Sequence, residues 1–192
     1  MASWPFCAIW HVVSARAKER SKHAGPSRIP RPALTLSDTR TLETDTSGDL
    51  LVEHLRAAGH HLQDRALLRD DLYRIRAQVS AWIADPAVEV ILSTGGTGLT
   101  GRDRTPEAIT PLLDRRIDGF GELFRQLSYE EIGVSTLESR AFAGVANATL
   151  IFCLPGSRNA CQTGWERIIQ FQLDARHKPC NLVALLPRLN EA

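Results

Sequence analysis

The chain has 192 residues, of which 43% are hydrophobic and 23% charged, with a formal net charge of +1. That length favours one domain with room for a sizeable core, and the composition excludes a chain disordered throughout. The near-neutral charge gives no support to non-specific nucleic-acid binding, so an anionic small-molecule ligand would need a local site.

Residues 1–27 hold Arg16, Lys18, Arg20 and Lys22 against one acid, Glu19. Their apolar run is short and precedes the basic residues, the reverse of a secretory signal. They read as an unstructured extension ahead of a domain over residues 28–192. Pro26, Pro30 and Pro32 discourage regular structure where the two meet. Residues 33–37 form a short strand candidate. Ser47 then suits a helix N-cap, with Leu50, Leu51, Leu55 and Ala58 on one face and Gly59 as the stop. A second strand is expected over residues 60–68, although its pattern is poor. Asp70 or Asp71 can cap the next helix, along which Leu72, Ile75, Val79 and Ile83 recur at helical spacing until Asp85-Pro86.

Residues 88–92 read as a buried parallel strand, because the run is apolar on both faces. A glycine loop follows, and then Thr105-Pro106-Glu107 resembles a helix start, with a Thr N-cap, an early proline and an acid in the first turn. Residues 148–154 form another buried strand, closed by Pro155-Gly156-Ser157. Residues 159–173 are expected to be helical, with Trp165, Ile168, Ile169 and Leu173 on one side. This alternation predicts an α/β fold in three layers, with a mostly parallel sheet flanked by helices. The cysteines Cys7, Cys153, Cys161 and Cys180 show neither C-x-x-C pairing nor zinc spacing. Cys153 reads as a small buried hydrophobe, and the usage fits a reduced cytoplasmic compartment. No apolar stretch approaches the ~18 residues a membrane helix needs.

Three loops carry the chemistry. Ser93-Thr94-Gly95-Gly96-Thr97-Gly98 follows a buried strand, where ligands collect in open α/β sheets. Its glycines let backbone N–H groups approach an anion, and Thr94 and Thr97 add hydroxyls. It matches neither a Walker loop nor the dinucleotide fingerprint, and taken alone its lesser alternative is a simple tight turn. Asp103, in Arg102-Asp103-Arg104, is an odd neighbour for an anion site unless it holds Mg²⁺; the plain alternative is a surface ion pair. Thr46, Ser47 and Gly48 start a helix, and Pro155, Gly156 and Ser157 form a strand-to-helix turn. Both suit a phosphate, and both are also ordinary capping and turn chemistry. In a parallel sheet such junctions share one edge and can converge on one ligand. The segment 118–128 has apolar residues that suit either an oligomer contact or the wall of a pocket.

Ordered matches then point to a family. Thr94-Gly95-Gly96-Thr97-Gly98, Arg102-Asp103-x-Thr105-Pro106-Glu107-Ala108, Asp114-Arg115, Gly119-Phe120-Gly121-Glu122-Leu123-Phe124-Arg125, Glu131-Ile132-Gly133, Ser139-Arg140-Ala141 and Pro155-Gly156-Ser157 resemble the signature of the molybdopterin-binding MoaB/MogA family. Residues 76–83 and 172–176 resemble its MoaB branch in particular. The resemblance implies a molybdopterin-binding-like fold that assembles as a homotrimer or homohexamer. It implies a pocket for a pterin phosphate and an adenine nucleotide, with no nucleic acid and no membrane as partner. Active members use Mg²⁺ and ATP to adenylylate molybdopterin at its terminal phosphate. The alternative is a non-catalytic molybdopterin-binding or carrier protein of the same pathway. Two acids carry the activity in that pattern. They match Asp103 of the D-x-T-P motif and Asp70 at the start of the second helix, with Asp71 adjacent. Thr105 and Glu107 fall within the same motif.

Overall fold

The computed structural model describes residues 30–189 and 191. The proposed extension, residues 1–27, lies outside the described residues. Six strands form one sheet: β1 (Pro30–Leu36), β2 (His61–Leu68), β3 (Val90–Thr94), β4 (Arg115–Arg116), β5 (Phe142–Ala146) and β6 (Thr149–Leu154). Their order is β2-β1-β3-β6-β5-β4. The pairs β1–β2, β1–β3 and β3–β6 are parallel, while β5 and β4 complete the sheet antiparallel.

The strands are buried because both faces of the sheet are covered. Along β3, Val90 and Leu92 pack to one side and Ile91 to the other; along β6, Leu150, Phe152 and Leu154 oppose Ile151 and Cys153. This is the period-2 alternation of a strand feeding two cores. One core receives α1 (Thr46–Ala57), α4 (Asp118–Ile132) and α5 (Arg158–Gly164), the last widening into a π-helical segment (Trp165–Ile169). The other receives α2 (Leu72–Ala84) and α3 (Thr105–Ile109). The result is the expected three-layer architecture. Among the described residues, no helix is long and apolar enough to cross a membrane.

Several boundaries differ from expectation for local physical reasons. Pro30 and Pro32 lie inside β1. Only β2 pairs with that stretch, since β3 joins at Ala33, and the register shifts between Arg31 and Ala33. A proline costs least at such an irregularity with one side unpaired. Asp45, not Ser47, caps α1, its carboxylate accepting from Gly48 N–H at 3.0 Å. Asp71 caps α2 through Tyr73 and Arg74 N–H, which leaves Asp70 free of that duty. Thr105 is the first residue of α3, not its cap. Ala148 belongs to the turn between β5 and β6, where Asn147 and Ala148 both have positive φ, the geometry of a two-residue hairpin.

The chain leaves β1 towards β2 on one side and returns to β3 on the other. The crevice beyond the carboxyl ends of β1 and β3 is therefore a topological switch point, where open α/β sheets place their ligands.

Candidate phosphate-binding cleft

A cleft of about 530 Å³ opens at that switch point. Its walls come from the segments that follow three adjacent parallel strands: Ser37 to Arg40 after β1, Gly95 to Asp103 after β3, and Pro155 to Ser157 after β6. Two of the three loops expected from the sequence, the glycine loop and residues 155–157, converge here, while the third wall is the segment 37–40 and not the expected residues 46–48. Of the anticipated residues, Asp70, Thr94, Gly95, Gly96, Thr97, Gly98, Asp103, Pro155, Gly156 and Ser157 line the cleft. Thr46, Ser47, Gly48, Thr105 and Glu107 do not, and each is occupied elsewhere.

The glycine loop is held from below. Gly95 has φ +101° and no space for a Cβ, which would strike the carbonyl oxygen of Leu36. A Cβ on Gly96 (φ +62°) would strike the Asp70 carboxylate and the Thr105 hydroxyl. Only glycine allows this approach. Buried Thr105 donates its hydroxyl to Gly95 O at 2.7 Å and its N–H to Gly96 O at 3.0 Å. Thr94 is also committed, its hydroxyl donating to Pro155 O at 2.9 Å. The hydroxyl expected to meet a ligand instead ties the β3 loop to the β6 loop, because Thr94 is fully buried at the strand end.

Arg140, outside the anticipated set, braces the far side of the loop. Its backbone N–H donates to Thr97 O, its Nε to Gly98 O at 2.8 Å and its Nη2 to Asp103 O at 3.0 Å. Glu107 pairs with Nη1 of the same guanidinium. Glu107 therefore acts through Arg140 and not on the cleft.

Two carboxylates stand at the loop with contrasting surroundings. Asp103 accepts from Thr100 N–H at 2.8 Å and from Thr100 Oγ1 at 2.6 Å, and makes no ion pair with Arg102 or Arg104 among the described residues. Burial acts to raise its pKa, but the Thr100 and Gly98 donors and the charge of Arg140 outweigh this and hold it below the ordinary carboxylate range. Asp70 is pushed up to about 6, first by burial and then by the charges of Asp38 and Asp103, against the pull of Arg102 and of the Arg104 N–H. Its Oδ1 is buried without a hydrogen-bond partner among the described residues. An orphaned carboxylate oxygen beside a second carboxylate fits a hard cation, and Mg²⁺ needs only one or two protein carboxylates when phosphate and water supply its other ligands. Among the described residues there is no cage of three or more acidic, His or Cys ligands.

The loop after β1 contributes what sequence reasoning missed. Asp38 faces Asp70, and Asp70 N–H reaches Asp38 Oδ1 at 3.4 Å. Arg40 lines the cleft, and its Nη1 donates to Ser47 Oγ at 2.9 Å. Ser47 in turn donates to Gly156 O at 2.9 Å, while Thr46 O accepts from Arg158. The α1 start thus braces the cleft from behind. The available signal was the strand-end rule itself: polar Ser37-Asp38-Thr39-Arg40 directly follows a strand. Of the apolar residues in segment 118–128, Phe120, Phe124 and Leu127 join the core, Phe124 also borders the cleft, and Leu123 is exposed. Cys153 and Cys161 are fully buried, and burial raises their thiols, the latter to about 11, which disfavours the reactive thiolate.

A three-layer α/β domain with a glycine loop, two further strand-end loops and paired carboxylates at its switch point is of the class of open α/β folds whose ligands lie beyond the carboxyl ends of parallel strands. Comparison with known proteins narrows this. The family model described as "Probable molybdopterin binding domain" matches residues 33–175. Molybdenum cofactor biosynthesis protein B of Escherichia coli K12 is 60% identical over 156 residues, covering 81% of this chain and 91% of that protein. A crystal structure of a molybdenum cofactor biosynthesis protein B superposes with a TM-score of 0.75 at 43% identity, covering 78% of this chain and 93% of the other. The tungsten cofactor synthesizing protein MoaB of Pyrococcus furiosus gives 0.65 at 36% identity, covering 76% and 92%. The chain belongs to the molybdopterin-binding domain family.

Proposed function

We propose that this protein acts in molybdenum cofactor biosynthesis, binding molybdopterin in the switch-point cleft and adenylylating its terminal phosphate with Mg-ATP. The role in the pathway and the pterin ligand are supported by family membership and by the B-type relatives. The reaction itself is supported by one observation above all: Asp70 and Asp103 flank the glycine loop, and one buried Asp70 oxygen has no hydrogen-bond partner among the described residues.

In this reading an oxygen of the pterin phosphate attacks the α-phosphorus of ATP. A P–O–P anhydride forms, the bond between the α- and β-phosphates breaks, and pyrophosphate leaves. Mg²⁺ held by Asp70 and Asp103 would supply charge neutralisation on the phosphates. N–H groups of Gly95 to Gly98 cradle phosphate oxygens, Thr105 and Arg140 keep that loop rigid, and Arg102 adds positive charge. No side chain needs to accept a proton from the nucleophile, since a phosphate monoester is already ionised at neutral pH. The contribution of the protein is positioning and electrostatic preorganisation. Leu123, Ile132, Val134 and Leu137, which are 42%, 50%, 70% and 78% exposed, offer surface for the homotrimer or homohexamer, to be counted by light scattering.

The test is pyrophosphate release from Mg-ATP and purified molybdopterin by wild type and by Asp103→Asn. A loss of at least about a hundredfold with an unchanged melting temperature is expected. Wild-type rates in the variant would remove Asp103 from the reaction. Folded wild-type protein that binds the pterin but releases no pyrophosphate would be the binding or carrier protein of the alternative reading.

A further inference from the structure

Arg40 has a side chain 31% exposed, on a cleft wall where the family motifs place no cation. Its guanidinium is pinned along one edge only. Nη1 donates to Ser47 Oγ at 2.9 Å and lies 3.6 Å from Asp45 Oδ1. The remaining donors make no hydrogen bond with any described residue. The pin is rigid: Asp45 is fully buried, Thr35 Oγ1 donates to it at 2.6 Å, Gly48 N–H at 3.0 Å and Arg65 Nη2 at 2.9 Å. Arg65 also pairs with Asp49 at 2.7 Å, so Asp45 has a closer cationic partner than Arg40. Ser47 is fixed in turn by Gly156 O.

An arginine that lines a cleft, fixed along one edge and with donors to spare, is preorganised for an oxyanion. Its position selects which one. The glycine loop meets Gly156 at Gly95, where a Cβ on Gly156 would lie 3.2 Å from Gly95 Cα. It meets the carboxylates further on: Asp70 beside Gly96, and Asp103 beside Gly98, where an added Cβ would lie 2.8 Å from Asp103 Oδ2. A metal-bound polyphosphate belongs at the carboxylates. At the Gly156 end, Arg40 supplies charge directly, with no metal needed.

We infer that Arg40, held by Asp45 and Ser47, reads a metal-free phosphate monoester at the Gly156 end of the cleft, and is the residue by which the site distinguishes a phosphorylated pterin from its alcohol. This rests on the pterin reading for the identity of the ligand but not for the anion subsite.

The experiment compares wild type, R40Q and R40K by fluorescence titration with the stable oxidised pterin derivative of molybdopterin, with and without its phosphate. Inorganic phosphate is titrated in parallel by ³¹P NMR. Wild type should favour the phosphorylated pterin by about tenfold or more, as a charge-assisted hydrogen bond provides. R40Q should reduce that ratio to within about threefold of unity, and R40K should fall between, because it keeps the charge and loses the fork. An unchanged ratio in R40Q, or no preference in wild type, overturns the assignment. Should R40Q melt early, R40K decides in its place: a lowered ratio upholds the assignment and an unchanged one overturns it. If wild type binds neither pterin, the molybdopterin reading fails by itself, and inorganic phosphate decides Arg40. Saturable binding lost in R40Q upholds the subsite; equal binding in both, or none in wild type, overturns it.

Discussion

Two carboxylates near the cleft, Asp45 and Asp70, are desolvated by the fold and treated in opposite ways. Asp45 receives a hydroxyl, a backbone N–H and a guanidinium, and these hold its pKa below the ordinary range against the opposing effect of burial. Asp70 has an oxygen with no donor and two neighbouring negative charges, and its pKa is pushed up to about 6. In the proposed reading the contrast separates a charge used to build the site from a charge left for a ligand. A saturated buried carboxylate is architecture, while an unsaturated one stores free energy that a bound cation recovers.

The comparison breaks most visibly at Asp45. Asp45→Ala should cost about 3 kcal/mol, because it strands buried donors of Thr35, Gly48 and Arg65; urea unfolding at pH 7 measures it. The lowered pKa sets the sign with pH. The contribution of Asp45 is fully present above the ordinary carboxylate value of 3.8 and is lost as pH falls below it. The difference between variant and wild type should therefore shrink in acid. A loss under about 0.5 kcal/mol at pH 7 would mean that the network is not the brace described here.

Arg140→Ala should cost less stability, about 1.5 kcal/mol, because its bonds to Gly98 O and Asp103 O lie at a partly exposed site. Its larger consequence should be about a tenfold weaker affinity for Mg-ATP, read by calorimetry, as Asp103 and the loop lose their common support. Unchanged affinity would show that the loop holds its shape through Thr105 alone.

Asp70→Asn should move stability the other way. A raised folded pKa means that Asp70 favours folding only when protonated, a contribution complete below pH 3.8 and lost as pH rises through about 6. The neutral amide should thus stabilise the ligand-free protein at pH 7 by about 1 kcal/mol after allowance for partial exposure, or about 3 °C in Tm, with no gain near pH 3.5. The same variant should lose the thermal shift that Mg²⁺ and ATP give wild type. A destabilised variant at pH 7 would place Asp70 with Asp45 as architecture.

Much of this fold was legible because its strands are buried on both faces. Apolar runs such as Val90–Leu92 and Thr149–Leu154 have few other readings, and the glycine loop announces itself by φ values only glycine accepts easily. β2 had a poor pattern because it is the edge strand, half exposed along its length. β5 escaped notice because three of its five residues, Ala143, Gly144 and Ala146, are small. Gly144 sits where a Cβ would lie 2.8 Å from Arg115 O, a demand set by a neighbouring strand. The loop residues were legible while their duties were not. Thr94, Ser47 and Thr105 carry hydroxyls of the type that binds phosphate, yet each is committed to a carbonyl of another loop. Arg40 and Asp38 lie in a polar stretch without periodicity, which gives the sequence no sign of a role. Only the packing of Asp45 against Thr35 and Arg65, 10 and 20 residues away, gives that stretch its shape.

The position of β6 has a consequence for how the molecule is made. β3, with all five residues buried, lies between β1 and β6, and the chain must run on to residue 154 before its second edge is paired. A chain emerging from the ribosome therefore carries an apolar, hydrogen-bond-hungry edge for as long as residues 95–148 are being added. The last parallel strand to be synthesised also completes the candidate cleft. Protection of that edge and competence to bind a ligand should appear together, late and in one step, since both wait on pairing across 60 residues of sequence.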